Sequence, residues 1–252
     1  MTLPAAFLSV PLAHRGYHTD GAPENSLAAF RRAIAAGYGI ELDVQVSSDG
    51  RAMSFHDDTL DRLTDEGGPV KARSAQELGR IKMSGTNEKI PTLTEVLDEV
   101  AGRVPLLIEL KDQSNVNGPG HDDLERAVAR DLISYGGTAA EMSFNPWMVA
   151  NLKALLPDVP RGLTTCDFGE ANWPGLPDSR RTSLRDMVMF NDVDASFISH
   201  DQRDLYARRV TELGASGVPI LCWTVRSPEI EARARQVADN VTFEGYAAEM
   251  VQ

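Results

Sequence analysis

The stretch that decides the fold is Ile40 to Asp57, with the sequence IELDVQVSSDGRAMSFHD. With the two-residue period of a β-strand, its polar and apolar side chains fall on opposite faces, Glu41, Asp43 and Gln45 on one and Leu42, Val44 and Val46 on the other. Alternate residues of a strand lie about 6.5 to 7 Å apart, so two carboxylates on one face can reach one small cation. Ionised carboxylates inside a fold are costly without such compensation. The segment therefore predicts a strand with a cation site on one face.

A β-hairpin is predicted directly after this strand. The four residues SSDG cannot hold a helical crossover, and Asp-Gly is a strong hairpin signal. A two-residue loop at Asp49-Gly50 would pair Asp43 with His56, whereas a loop at Ser48-Asp49 would pair Glu41 with His56. Either register places the imidazole beside the carboxylates. The alternative interpretation is a surface hairpin with solvated charges.

Outside this segment, short apolar runs alternate with amphipathic segments. Apolar strands separated by helices are typical of a parallel sheet, and the number of units favours a closed (β/α)8 TIM barrel of the α/β class. Nine strands are predicted, the first over 7–13 and the last over 240–243, so one pair must be the hairpin. A short helical segment is predicted after the last strand. The chain 1–252 is predicted to be one domain, with a small insertion after the third strand at about 58–89.

The composition is that of an acidic globular protein. The formal net charge of -12 opposes attraction to nucleic acid and to anionic membranes, so we expect neither a nucleic-acid partner nor a stable membrane association. Cys166 and Cys222 lie far apart without CxxC spacing, which argues against a disulfide framework or a structural zinc site. The apolar N-terminus lacks a basic region, and no run is long enough to span a bilayer, so a cytoplasmic protein is expected. The oligomeric state is not indicated.

Polar side chains are predicted at the C-terminal ends of several strands, where the active site of a parallel barrel lies. Glu41, Asp43 and Glu109 offer carboxylate oxygens without thiolates, a donor set that suits one divalent cation, Mg2+ or Ca2+, better than zinc. His14 and His56 have the right chemistry for a general base and a general acid, with metal ligation as the alternative. The remaining histidines are expected to be ordinary loop or surface residues, namely His18, His121 and His200.

Fixed positive charge near these carboxylates is predicted to contact an anionic substrate. A guanidinium such as that of Arg15, close to a cation, matches a phosphate diester, and Lys111 adds a second charge. Trp223 is a further candidate at the end of a strand. The alternatives are a surface role for Arg15 and an internal ion pair between Lys111 and Glu109. The sequence lacks a Walker motif, a GxGxxG after the first strand and a GxSxG elbow, so it does not support a nucleotide-binding fold or a serine hydrolase.

Six short segments resemble the glycerophosphodiester phosphodiesterase family in order and spacing. They span the first 111 residues and are His14-Arg15-Gly16, Pro23-Glu24-Asn25-Ser26, Glu41-Leu42-Asp43-Val44, Asp49-Gly50, the run from His56 to Arg62, and Ile108-Glu109-Leu110-Lys111. Two later segments resemble the family less specifically, Ser143-Phe144 and Trp223-Thr224-Val225. The chain departs from the family in two places. Ser26 stands where Thr is frequent, and the segment 241–245, VTFEG, replaces an Ile-Thr-Asp-x-Pro pattern and leaves the far side of the pocket undefined.

The resemblance implies a (β/α)8 barrel that hydrolyses glycerophosphodiesters to sn-glycerol 3-phosphate and an alcohol with one divalent cation. The implied roles are acid/base catalysis by His14 and His56 in an open order, metal ligation by Glu41, Asp43 and Glu109, and phosphate contact by Arg15 and Lys111. Attack by water and attack by the substrate's own 2-hydroxyl, through a cyclic phosphate, are both compatible with these residues. One alternative is a related enzyme such as a lysophospholipase D, which needs an apolar track for an acyl chain. The other, a barrel that binds a phosphodiester without turnover, has no need of both histidines and all three carboxylates.

Overall fold

The structure is a computed structural model that describes residues 2–114 and 117–250. The described residues form nine strands, β1 (Leu12–Ala13), β2 (Gly39–Val46), β3 (Ala52–Ser54), β4 (Leu106–Leu110), β5 (Ala139–Ser143), β6 (Arg161–Thr165), β7 (Phe197–Asp201), β8 (Ile220–Val225) and β9 (Asn240–Phe243). The α-helices are α1 (Ala6–Ser9), α2 (Leu27–Ala36), α3 (Ala75–Leu78), α4 (Leu93–Val100), α5 (Asp123–Leu132), α6 (Pro146–Leu155), α7 (Asp178–Arg185), α8 (Arg208–Ala215) and α9 (Pro228–Ala234). Within these ranges, no helix has the length and apolar character needed to cross a membrane.

All strands except β3 pair in parallel and close into a barrel. The sheet order is β1-β9-β8-β7-β6-β5-β4-β2-β3, and an additional pairing of β1 with β2 closes the ring. Helices between successive strands cover its outside, which confirms the predicted (β/α)8 TIM barrel. The antiparallel strand β3 lies beside β2 at the end of this order and accounts for the ninth strand.

The register of this hairpin differs from both predictions. Val44 pairs with Ser54 and Val46 with Ala52, and the Ser47 N–H donates to the Arg51 carbonyl at 2.9 Å. The loop therefore holds one residue more than a two-residue turn, and its last residue, Gly50, has a φ of 71°. Such loops place a left-handed residue at this position. His56 lies beyond β3 rather than opposite a carboxylate. Because almost all of β2 is buried, the surface-hairpin alternative is wrong.

Both ends of the chain differ from the predicted elements. The predicted strand over 7–13 is helix α1 followed by the two-residue strand β1. A short apolar run cannot be assigned to helix or strand from periodicity alone, and here it supplies Phe7, fully buried among the apolar side chains inside the barrel. After β9, residues 244–250 contain no helix, contrary to the prediction of a short helical segment.

The stretch 58–89 lies between β3 and α4. Its elements are the 3-10 helix Val70–Ala72 and the one-turn helix α3, which begins at the capping box of Ser74 and ends at Leu78. Its apolar side chains pack on Met53 and Phe55 in a cluster separate from the main core. The hairpin thus forms the base on which this stretch rests.

The barrel interior is filled by alternate residues of the strands, as expected for this fold. Its lower part is apolar, and Leu12, Leu107, Ala140, Phe197 and Leu221 belong to one buried cluster with Phe7. Gly162 gives space to the ring of Phe197, since a Cβ at Gly162 would lie 2.5 Å from that ring. Glu41 and Asp43 lie two and four residues beyond Gly39, the first residue of β2. The acidic side chains therefore lie above the apolar lower part of the barrel.

We expect Gly162→Ala to destabilise the barrel. The added Cβ would force the buried Phe197 ring to move, and overpacking of this kind costs about 1–3 kcal/mol. Denaturant unfolding measures the change. The matched control is Gly136→Ala, where an added Cβ meets nothing within 4 Å. Equal stability of the two variants would contradict the packing described for the interior.

Candidate active site

A cavity of about 300 Å3 opens at the C-terminal ends of the strands. All eight site residues predicted from the sequence line it, namely His14, Arg15, Glu41, Asp43, His56, Glu109, Lys111 and Trp223. They come from five strands or from the loops that directly follow them. The structure therefore brings together residues that are up to 209 positions apart in the chain.

Three buried carboxylates form the floor of this cavity. One oxygen from each of Glu41, Asp43 and Glu109 lies within 4.8 Å of the others. The parallel register of β2 and β4 places Asp43 beside Glu109, and Glu41 lies two residues earlier on the same face. Three oxygen ligands at this spacing form a group that could hold a metal ion, and hard divalent cations prefer such ligands.

Of the three carboxylates, Glu41 has negative charge that the neighbouring side chains do not compensate. Burial, together with the charges of Asp43 and Glu109, raises the pKa of Glu41 well above its usual range. Burial also acts to raise the pKa of Asp43, but the positive charges of Lys111, His56 and Arg15 outweigh it and hold that pKa well below its usual range. Among the described residues, no cationic side chain forms an ion pair with Glu41. Its carboxylate is therefore the part of the site that most requires an added positive charge.

Lys111 and Arg15 border the carboxylates from two sides. The Lys111 ammonium lies 2.7 Å from Glu109 Oε1 and 3.5 Å from Asp43 Oδ1, while Arg15 Nε lies 3.3 Å from Asp43 Oδ2. The predicted alternative of an internal Lys111–Glu109 ion pair is thus present, but as part of the cavity wall. Arg15 is not a surface residue, because its side chain is only 16% exposed.

The loop after β1 directs a backbone donor at Glu41. Arg15 has a φ of 55° and Gly16 a φ of 81°, a left-handed pair that turns the Arg15 N–H toward Glu41 Oε2 at 3.0 Å. Residues other than glycine rarely adopt this conformation, and when they do they cluster at functional sites. A Cβ at Gly16 would lie 2.9 Å from Ala29, so helix α2 packs closely against this turn.

Asn25 and Glu24 support the site but were given no role from the sequence. The fully buried Asn25 donates from Nδ2 to Asp43 Oδ2 at 2.9 Å and accepts the Asp43 N–H at 3.1 Å. Glu24 accepts from Arg15 at 2.7 Å. Both residues belong to the segment Pro23-Glu24-Asn25-Ser26, and its resemblance to the family was the only feature of the sequence that pointed to them. Together they fix the orientation of Asp43 and of the Arg15 guanidinium.

Each of the two predicted catalytic histidines is held by a carboxylate through Nδ1. His14 Nδ1 lies 2.5 Å from Glu244 Oε2, and His56 Nδ1 lies 2.6 Å from Asp57 Oδ1. An ionised carboxylate only accepts hydrogen bonds, so each Nδ1 carries the proton and donates it. This arrangement makes Nε2 the nitrogen through which either ring can exchange a proton with a substrate.

The surroundings of the two histidines differ. Burial lowers the pKa of His14 and outweighs the opposing hydrogen bond with Glu244, so the neutral imidazole is favoured. The side chain of His56 is 30% exposed. Burial acts to raise the pKa of Asp57, but hydrogen bonds from Arg62 and His56 lower it to about 2.

Glu244 is the principal site residue that the sequence did not predict. One oxygen contacts His14 and lies 3.6 Å from His18 Nε2, and the other accepts from Arg226 Nε at 2.7 Å. Burial acts to raise the pKa of Glu244, but its contacts with His14 and His18 hold it well below its usual range. Glu244 lies in the segment 241–245 that departs from the family pattern. Its contact with His14 joins residues 230 positions apart, so no local pattern could have indicated it.

His200 differs from the prediction of a loop or surface histidine. It lies in β7, is 1% exposed, and its Nδ1 forms a 2.7 Å hydrogen bond with Thr165 Oγ1. The ring is buried because His200 belongs to β7, which continues to Asp201, and not to a surface loop. His200 does not line the active-site cavity.

Trp223 lies in β8 and lines the cavity. Its indole Nε1 donates to the Ser199 carbonyl at 3.0 Å, and its ring packs edge-on against Phe144 with the ring centres 5.5 Å apart. The hydrogen bond holds the indole plane against the wall. The tryptophan therefore presents an apolar face, rather than a donor, to the cavity.

Comparison with known proteins identifies the family of the chain. The model of the glycerophosphoryl diester phosphodiesterase family matches residues 14–242. The Bacillus subtilis protein YhdW, provisionally named as a glycerophosphodiester phosphodiesterase, is 29% identical over 88% of both chains. A glycerophosphodiester phosphodiesterase of Caldanaerobacter subterraneus is 35% identical over 60% of this chain and 65% of its own length.

The fold is also shared with solved structures. A phosphodiesterase of Oleispira antarctica, described in complex with the product sn-glycerol-3-phosphate, superposes with a TM-score of 0.78 at 24% identity, over 95% of this chain and 94% of its own. That likeness shows the barrel fold. The family match, which covers most of the chain and includes every predicted site residue, confirms the resemblance found in the sequence. The chain belongs to the glycerophosphoryl diester phosphodiesterase family of phosphoric diester hydrolases.

Proposed function

We propose that the protein hydrolyses glycerophosphodiesters to sn-glycerol 3-phosphate and an alcohol, in a reaction that depends on a divalent cation. The observation that supports this most directly is the composition of one cavity, which combines three buried carboxylates, two fixed cations and two imidazoles. Hydrolysis of a phosphate diester can use all three kinds of group, namely ligands for a cation, fixed positive charge beside the phosphate, and an acid and a base for proton transfer. The product described for the Oleispira antarctica neighbour supports the same substrate class.

Glu41, Asp43 and Glu109 would hold one divalent cation, Mg2+ or Ca2+. Their oxygens are hard ligands, and Glu41 is a buried carboxylate without a cationic side-chain partner in the described chain, so the residues present fit such an ion. When bound, the ion supplies Lewis-acid stabilisation of charge on a phosphate oxygen. Arg15 and Lys111 would orient the phosphate, because their charged groups border the same carboxylates.

His14 would act as the general base and His56 as the general acid. The attacking oxygen forms its bond to phosphorus as its proton passes to His14 Nε2, which burial keeps neutral and Glu244 holds in the required tautomer. The bond from phosphorus to the alcohol oxygen breaks, and that oxygen takes a proton from Nε2 of His56, which acts in its doubly protonated imidazolium form and becomes the neutral Nδ1–H imidazole. If the attacking group is the substrate's 2-hydroxyl, the cyclic phosphate is then opened by water with the two roles exchanged.

We expect release of sn-glycerol 3-phosphate from glycerophosphodiesters in the presence of Mg2+ or Ca2+. Chelation followed by dialysis should lower the rate by at least about a hundredfold, and added metal should restore it, because the carboxylate cluster then regains its cation. Phosphorus NMR of a substrate panel measures the monoester and also detects any cyclic phosphate. Full activity after chelation would contradict the metal role, and no monoester from any diester would contradict the activity.

We expect His14→Ala and His56→Ala each to lower kcat by about 10²–10⁴-fold, the usual contribution of a general acid or base. The two roles separate with a p-nitrophenyl diester, whose leaving group needs no proton. That substrate should rescue the His56 variant but not the His14 variant. His121→Ala, at an exposed loop histidine, is the matched control. Rescue of the His14 variant instead would reverse the assignment.

We expect Glu244→Gln to lower kcat by at least about tenfold with little change in KM, because an amide can hold the His14 ring in the wrong tautomer. Glu244→Asp keeps the carboxylate and should retain more activity than the amide variant. Steady-state kinetics, with thermal unfolding as a check on folding, give the comparison. Glu249→Gln, at an exposed position, is the control. An unchanged kcat in Glu244→Gln would show that this carboxylate does not position His14.

A further inference from the structure

A second cavity, here called the side groove, adjoins the active-site cavity beside His56. It has a volume of about 480 Å3 and shares five wall residues with the first cavity, namely His56, Glu109, Lys111, Phe144 and Trp223. A phosphodiester bound at the carboxylates and Lys111 can therefore extend one of its two alcohols into this groove. His56, the proposed general acid, lies where the two cavities meet, so the alcohol in the groove would be the leaving group.

One wall of the side groove is aromatic. Phe144 packs against Trp173 and Trp223 with ring centres 5.3 and 5.5 Å apart. All three rings are partly exposed and line the groove. Indole and phenyl faces carry negative electrostatic potential, which attracts cations and especially quaternary ammonium groups.

Besides Glu109, the side groove contains two further carboxylates, Asp58 and Asp112. Neither forms an ion pair with a lysine, arginine or histidine in the described ranges 2–114 and 117–250. Asp112 accepts instead from neutral groups such as the Asn145 amide at 2.8 Å, and Asp58 accepts from the Gln45 amide at 3.2 Å. Lys111 is close, but its ammonium is already paired with Glu109. The groove away from the metal ligands therefore has an uncompensated negative charge.

We propose that the side groove binds a quaternary ammonium group, so that the preferred substrate is a glycerophosphodiester of a choline-like amino alcohol. This inference rests on the proposed function of the adjoining site. The apolar side chains of the groove, from Phe144, Trp173, Pro174, Leu176 and Trp223, could also pack on an acyl chain. Such a chain would, however, leave the charges of Asp58 and Asp112 without a positive partner. A polyol could stack on the aromatic faces but carries no positive charge to neutralise the two carboxylates. Only a cation that also has an apolar surface matches both walls.

The test compares three substrates of the unmodified protein. Glycerophosphocholine carries the quaternary ammonium group. The analogue with 3,3-dimethylbutanol in place of choline has the same shape without the charge, and glycerophosphoglycerol has neither the charge nor the trimethyl shape. We expect kcat/KM for the choline ester to exceed that for the neutral isostere by about tenfold or more. Equal values, or a preference for the isostere, would overturn the inference while leaving the phosphodiesterase activity established. Failure to hydrolyse any of the three would instead count against the proposed function.

Variants of the groove provide a second measurement. Trp173→Leu keeps apolar bulk but removes an aromatic face, and Asp58→Asn keeps an acceptor but removes the charge. Each should lower the preference for choline over the isostere several-fold, with little change in the rate on glycerophosphoglycerol. Trp147→Leu and Asp65→Asn change the same residue types outside the groove and are the controls. An unchanged preference in Asp58→Asn, whose exposed side chain should not affect folding, would overturn the inference even if Trp173→Leu does not fold.

Discussion

The structure around the active site depends on the burial of three carboxylates within 4.8 Å of one another. Buried charge is costly unless it is paired and hydrogen-bonded, so every neighbouring group has to supply positive charge or a donor. Lys111 and Arg15 provide the charge, while Asn25 and the Arg15 backbone N–H provide donors. These contacts still leave Glu41 without a cationic side-chain partner in the described chain, and this is why a bound cation suits the site.

The barrel makes this concentration of charge possible because its lower part is apolar and closed. Phe7 from α1 and Phe197 from β7 fill the lower interior, and Gly162 leaves the space that the second ring occupies. Strands that run in parallel bring their C-terminal ends to one side, so the carboxylates of β2 and β4 come together at the upper end only. The polar cavity can therefore open to substrate at one end, while apolar side chains fill the opposite end of the barrel.

Much of the site could be predicted because its residues lie in short segments whose pattern has a local meaning. The alternation in β2 placed Glu41 and Asp43 on one face, and Glu109 and Lys111 were expected where another strand, β4, ends. The hairpin register was not predictable, since a loop of two or three residues is compatible with the same four letters. The contact of Glu244 with His14 was not predictable either, because it depends on closure of the barrel between β1 and β9.

Arg62, from the stretch 58–89, connects the residues that hold the proposed general acid and a proposed phosphate ligand. Its guanidinium donates to both oxygens of Asp57, which holds His56, and to both oxygens of Glu24, which holds Arg15. Because a guanidinium is planar and its donors are fixed in direction, these two carboxylates cannot move independently. The proposed general acid and the proposed phosphate ligand therefore share one anchor. His14 has a separate anchor in Glu244 and Arg226, so the two imidazoles are positioned by different parts of the barrel, as two proton transfers at opposite sides of a phosphate require.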